Sequence, residues 1–236
     1  VTVGGNGDLA VDFGAECAGW IEFESPDLHL RLADAAPPTL LMSLSEYDAP
    51  GFYNTGPKTS VAVHVREHTY SLRLNSYEGV QYGFLHVRNF TSKATFHVTA
   101  FRQICQILPV NYQGGFSTNN GLSPSLLDRV WWSGAYTVKV NVEAQFFNSV
   151  LVDRGDRISW TGDAHLTQKL ALYVFGLDDL VRQNIERTSG PGGYNGIPTY
   201  ALYWVLSVVD YFWCTGDSSV LIVHHDELKR KLRAAL

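Results

Sequence analysis

Apolar residues recur at two different periods along this chain, and the change of period divides it. From residue 1 to about residue 110 they alternate with polar ones. Leu9, Val11 and Phe13 share one face, as do Val61, Val63 and Val65, with His64 and Arg66 pointing the other way. Leu72 and Leu74 flank Arg73, and Phe96, Val98 and Ala100 repeat the pattern. A period of two puts alternate side chains on opposite faces of a strand, so one face of each run is apolar and seeks a core. Gly4-Gly5-Asn6-Gly7, Ser25-Pro26-Asp27, Ala49-Pro50-Gly51, Asn54-Thr55-Gly56-Pro57 and Glu78-Gly79 supply turns between them. Short strands punctuated in this way predict a β-sandwich over residues 1–110.

Residues 111–124 carry Gly114-Gly115, Asn119-Asn120-Gly121 and Ser123-Pro124 without sustained periodicity, which predicts a linker. Helical spacing begins at Ser125. Leu126, Leu127, Val130, Trp131, Ala135 and Val138 predict an apolar stripe on a helix running to about Ala144. Thr161 is the expected N-cap of a second helix, through Leu170 and Val174, that ends at Gly176. Asp178 or Asp179 opens a third, to about Arg187, and Ser189 to Gly196 reads as a loop. Ile197 to Cys214 is apolar on nearly every side, which predicts a helix buried all round and stopped by Gly216. Asp217 or Ser218 caps a last helix, whose Lys229, Arg230, Lys231 and Arg233 complement the negative end of its dipole.

Composition narrows the classes. At 236 residues there is room for a substantial core. A net charge of −5 sets the chain against anionic partners, so neither nucleic acid nor a membrane surface is expected. No apolar run approaches the roughly 18 residues of a membrane span. Cys17, Cys105 and Cys214 are odd in number and far apart, which predicts buried thiols with neither a disulfide framework nor a zinc site. His29, His64, His68, His86 and His97 lack metal-ligand spacing, and no metal or cofactor is expected. Trp20, Tyr47, Phe52 and Tyr53 read either as a stacking platform for sugar or as core aromatics. Asn89-Phe90-Thr91 matches a glycosylation sequon, too short a pattern to set the compartment, which stays unknown. Val1 is not an initiator methionine and no leader pattern is visible, so the chain is expected to lie within a longer protein.

One charged stretch, from Val152 to His165, stands between two helical patterns. It holds Asp153, Arg154, Asp156, Arg157, Trp160, Asp163 and His165. Asp156, Trp160 and Asp163 share a face if the stretch is helical; if it is a loop, Gly155 and Gly162 permit the turns that aim them together. Two acids around an aromatic ring suit sugar hydrolysis: one carboxyl protonates the leaving oxygen, one carboxylate carries charge, and the ring stacks a pyranose. The same residues also fit a solvated turn of internal ion pairs. Asp163 in a first helical turn meets free amide hydrogens that favour its ionised form, which suits an electrostatic or hydroxyl-binding role. Asp156, outside the helix, is better placed to be kept protonated by burial and a like-charged neighbour. His165 reads either as a hydrogen-bonding member of the site or as an ordinary helix-start histidine.

From Asp156 to Trp160-Thr161-Gly162-Asp163 the stretch resembles, in register, the signature of the α-L-rhamnosidases of glycoside hydrolase family seventy-eight. That resemblance implies Asp156 as general acid, a position usually Glu in the family. It implies Asp163 as a substrate-binding acid, Trp160 as a sugar-contacting ring, and Arg154 or Arg157 as charge partners. The family's further acid, upstream of the general acid, falls on Leu151, with Asp153 as its candidate replacement. Two other stretches resemble the same family. Val11-Asp12-Phe13-Gly14 with Gly19-Trp20-Ile21-Glu22 is similar to the sandwich that precedes its barrel. Leu127-Asp128-Arg129-Val130-Trp131 with Gly134-Ala135-Tyr136-Thr137 is similar to its first barrel helix, which makes Trp131 and Trp132 packing residues.

The implied fold is multidomain: a β-sandwich, then the first helices of an (α/α)6 six-hairpin barrel over residues 125–236, incomplete in this chain. The implied reaction is inverting hydrolysis of a terminal α-L-rhamnoside. An inverting glycosidase needs a general base roughly 6.5–9.5 Å from its acid. Asp178, Asp179, Glu186, Asp210, Asp217, Asp226 and Glu227 follow the motif, and none stands in a context that matches the family's base. The chain alone is therefore expected to be inactive or very weak, with an apolar flank around Trp204 left for the rest of the barrel to cover. A sugar-binding protein without hydrolysis, and a glycosidase for a different glycone, remain open alternatives.

Overall fold

The computed structural model of the chain describes residues 1–46, 59–61, 63–66, 68–72, 78–90, 93–118, 125–142, 147, 159–190 and 195–235. Residues 1–106 belong to one compact unit, and the described residues from Ile107 onward to another. An antiparallel β part followed by helices thus forms, as the two periods predict.

In the first unit the strands are β1 (Thr2–Val3), β2 (Gly7–Glu24), β3 (Thr39–Ser45), β4 (Thr59–Val61), β5 (Val63–Arg66), β6 (Thr69–Leu72), β7 (Glu78–Arg88), β8 (Phe96–His97) and β9 (Ala100–Cys105), with one short helix, α1 (Leu28–Leu32). β2 is the spine. Its first half pairs with β7, from Gly7 opposite Val87 to Gly19 opposite Glu78. Its second half pairs with β6 and with β9. The register shifts between Asp12 and Cys17, where an irregularity bends β2. The strands run β4-β3-β7-β2-β6-β5, with β9 also on β2, in one curled antiparallel sheet; β1 and β8 form a separate pair. Ile21 and Phe23 of β2, Leu40, Met42 and Leu44 of β3, and Leu85 and Val87 of β7 make the core, closed by Leu28, Phe90, Phe96 and Val98. Met42 stands opposite Leu85 and Leu40 opposite Val87, as a period of two requires.

Two features of this unit depart from expectation. Cys17 and Cys105 are joined as a disulfide across a sequence separation of 88, and Cys214 is exposed, so only Cys17 is buried. Spacing along the chain cannot show this pair, because it follows from β9 returning beside β2. The other face of β3 and β7 is also buried: Ser43, Phe84 and His86 are all inside. Trp20 is half-buried and its indole nitrogen donates to Glu22 at 3.2 Å. Leu74, Tyr47, Phe52 and Tyr53 lie outside the described residues.

The second unit contains α2 (Leu126–Asn141), α3 (Thr161–Phe175), α4 (Asp178–Arg187), α5 (Pro198–Thr215), α6 (Ser219–Val223) and α7 (His225–Ala234). Ser125 and Asp128 make a reciprocal capping box at the start of α2. The stripe on α2 is narrower than predicted. Ala135 and Val138 are buried and Trp131 packs on the same core, but Leu126, Leu127 and Val130 are exposed. The face that starts at Asp128, which is tied to Ser125 and Thr118, turns those three outward. Leu108 and Val110, just before the expected linker, join the helical core, and within the expected linker the amides of Gln113 and Gly114 donate to the Val174 carbonyl. α3 and α5 end on Gly176 (φ 61°) and Gly216 (φ 74°), left-handed positions that glycine occupies without strain. The last predicted helix is split at His224 into α6 and α7.

α5 is not buried all round. Trp204, Val205, Ser207, Val208 and Tyr211 form its buried face, while Leu202, Tyr203, Leu206 and Trp213 are exposed. Trp204 is itself 0% exposed and donates from its indole nitrogen to the Ile185 carbonyl at 2.9 Å, so the open flank lies away from it. α3 and α5 run side by side in the same direction. Gly162 meets Tyr200, His165 faces Tyr203, and Lys169 bonds Asp210, each contact one step further along both helices.

Candidate functional site

Of the charged stretch, Ser159 to His165 is described; Asp153, Arg154, Asp156 and Arg157 lie outside the described residues. Trp160 holds the N-cap position of α3 and Thr161 is the first helical residue, one step earlier than a cap at Thr161 implies. The reason is Asn195. Its amide oxygen accepts from the Thr161 backbone N–H at 2.9 Å and from the Thr161 hydroxyl at 3.2 Å, so that side chain is not free to cap. Asn195 also donates to the Ser159 carbonyl at 3.1 Å, and the Ser159 hydroxyl donates to buried Asn184 of α4 at 2.9 Å. Asn195 has φ 58°, a left-handed conformation that asparagine tolerates better than most residues.

Asp163 lies in the first turn of α3 and is exposed. Tyr200, near the start of α5, donates its hydroxyl to Asp163 Oδ2 at 3.0 Å. The ring of Tyr200 lies so close to Gly162 that any Cβ there would run into it. Trp160 is half-buried, and its indole nitrogen meets no acceptor among the described residues. His165 is buried and turned along the helix–helix seam. Its Nε2 lies 3.0 Å from Asp210 Oδ2, its ring faces Tyr203 at 5.6 Å, and Lys169 donates to the other Asp210 oxygen at 3.0 Å.

An exposed carboxylate in the first turn of a helix, steadied by a phenol, can accept hydrogen bonds from ligand hydroxyls, and a half-buried indole stands three residues before it. Most acids that follow the motif already face cations. Asp210 meets Lys169, Asp217 and Glu186 meet Arg182, and Glu227 meets Arg230 and Lys231. Asp178 and Asp179 sit in the first turn of α4. Among the described residues no group of three or more His, Cys, Asp or Glu could hold a metal, and no helix is long and apolar enough to cross a membrane. Asn195 and Tyr200 escape a reading by motif because they come from 34 and 37 residues away. The turn dipeptide Asn195-Gly196 marks the loop but not its target.

A second polar array lies in the β unit. Ser43 Oγ is 2.7 Å from His86 Nε2, and His86 Nδ1 is 2.8 Å from Asp8 Oδ1, with Arg88 also on Asp8 at 2.7 Å. The order is that of a hydrolytic triad, but Ser43 is 0% exposed and no substrate carbonyl reaches its oxygen. It serves to satisfy buried polar groups in the second face of the sheet.

Comparison with solved structures finds a rhamnosidase from Klebsiella oxytoca with rhamnose bound. The match has a TM-score of 0.68 and 16% identity, over 100% of this chain and 50% of that one. The likeness is one of fold, and the chain spans about half the length of the rhamnosidase it matches. No protein-family model and no curated protein matches the sequence.

Proposed function

We propose that the chain is part of a glycoside hydrolase that removes terminal α-L-rhamnosyl residues with inversion. Asp156 is its general acid, Asp163 and Trp160 grip the sugar, Arg154 and Arg157 tune the carboxylates, and Asp153 and His165 complete the surroundings. On this reading residues 1–110 are the β-sandwich, 111–124 the linker and 125–236 the first helices of an (α/α)6 barrel. The observation that carries it is a coincidence of two independent signals. The stretch with the rhamnosidase signature ends at the start of α3, where an exposed Asp163 is held by Tyr200. The whole chain also shares its fold with a rhamnosidase.

A second reading, sugar binding without hydrolysis, is favoured by Asp at position 156 where the resemblance calls for Glu, and by Leu151 where it calls for an acid. One experiment separates the two. A polypeptide that carries this chain together with a complete barrel, and its Asp156→Asn variant, are titrated with L-rhamnose and incubated with an aryl α-L-rhamnoside, the product anomer being followed by NMR. Turnover that disappears in Asp156→Asn while rhamnose still binds supports the hydrolase. Rhamnose binding in both with turnover in neither supports the binder. Failure of the wild type to bind rhamnose sinks both.

A further inference from the structure

Two side chains that belong to no part of the charged stretch hold it in place. Asn195 fastens the backbone on both sides of Trp160, through the Ser159 carbonyl and the Thr161 amide. Tyr200 fastens Asp163 through its hydroxyl. Tyr200 is itself fixed: its ring lies against Gly162 and edge-on to Tyr203 at 6.0 Å, and Tyr203 packs on His165. An exposed aspartate otherwise samples several rotamers, and a ligand that needs one of them must first select it.

We infer that Asn195 and Tyr200 are positioning residues for sugar binding, with Asn195 setting the backbone that presents Trp160 and Tyr200 setting the rotamer of the Asp163 carboxylate. The inference rests on the carbohydrate reading given above. It goes further by assigning the order of that site to a segment 34 to 37 residues away. Neither residue donates or takes a proton in the reaction. Each acts by having the acceptor and the ring in place before the ligand arrives, so its loss lowers affinity rather than removing the site.

The test is titration of the whole chain with L-rhamnose, with thermal melts run in parallel. Tyr200→Phe keeps the ring on Gly162 and removes only the hydroxyl; affinity should fall about tenfold, as expected for losing one charge-assisted hydrogen bond. Asn195→Gly keeps the left-handed backbone and removes the amide, and should weaken binding by a similar factor. Lys169→Met breaks a different polar link between α3 and α5. It should leave affinity unchanged even where it lowers the melting temperature, which a merely structural role for Tyr200 would not allow. Wild-type affinity in folded Tyr200→Phe overturns the inference while leaving the sugar site standing. If Tyr200→Phe does not fold, Asn195→Gly decides in the same way. No rhamnose binding by the wild type overturns the carbohydrate reading and the inference with it.

Discussion

Among the residues of the β unit whose side chains are described, only Val1, Leu30 and Leu32 are large apolar side chains left exposed. The helical unit buries Trp204, Phe175 and Val208 as completely as any sheet residue, yet leaves Leu126, Leu127, Val130, Leu166, Trp213, Ile222 and Val223 each more than half exposed. The contrast follows from the geometry of the elements. A strand has two faces. Curling the sheet covers one with the Phe23 and Met42 core, and the Ser43–His86 array occupies the other. A helix has a full circumference, and α5 meets α3, α4, α6 and α7 on only part of it. A large apolar strand residue whose side chain is described is therefore buried or half-buried, whereas a helical one can be left open.

The contrast can be broken most strongly at the disulfide. Cys17→Ser frees a loop of 88 residues, and chain-entropy reasoning puts the loss at about 4–5 kcal/mol. The β unit should then unfold first in urea, with the helical signal unchanged. Loss of both together would show that they do not melt separately. Nearly as large is Trp204→Ala, which empties a wholly buried site and strands the Ile185 carbonyl. It should cost the helical unit about 4 kcal/mol, read as a lower midpoint on the helical signal alone.

Acidity should move the two units in opposite directions. Burial, with the neighbouring Glu46 carboxyl hydrogen-bonded to it, pushes Glu16 of β2 up to about 7. A raised carboxyl stabilises the fold fully below the ordinary glutamate range and loses that contribution as pH climbs through about 7. Glu227 of α7 is held down to about 2 by hydrogen bonds from Arg230 and Lys231. Its contribution is present above the ordinary glutamate range and is lost as pH falls toward 2. Through Glu16 the β unit should soften between about pH 5 and 8, and through Glu227 the helical unit should soften below about pH 4. The His224 imidazole, held below its usual range by burial, adds a loss in the helical unit as pH falls through the ordinary histidine range. Glu16→Gln should flatten the first slope; if the slope persists, the carboxyl pair is not its source. The smallest effect on stability is at the open flank. Leu166→Lys and Trp213→Lys should change stability by less than about 0.5 kcal/mol. They should nonetheless reduce binding of an apolar dye and self-association at high concentration.

How far the sequence foretold the structure depends on the range of each contact. Ser125 with Asp128, Gly176 and Gly216 act on their own neighbours, and those helix ends are readable from spacing alone. The core positions Ile21, Phe23, Leu85 and Val87 follow the period of two. Leu126, Leu127 and Val130 mislead because helical spacing marks an apolar face without saying whether a partner covers it. Cys17 with Cys105, Asp8 with His86, and Asn195 with Thr161 become neighbours only once strands and helices are placed, so no local pattern announces them. At the candidate site the motif supplies Trp160 and Asp163, while their supports, Asn195 and Tyr200, come from the fold.

The contact between Gly162 and Tyr200 also restricts the order in which this protein can change by mutation. A methyl group at position 162 has nowhere to go while the tyrosine is present. The tyrosine cannot shrink without releasing Asp163. Neither position can move first at no cost, so descendants of this chain should keep both or replace both.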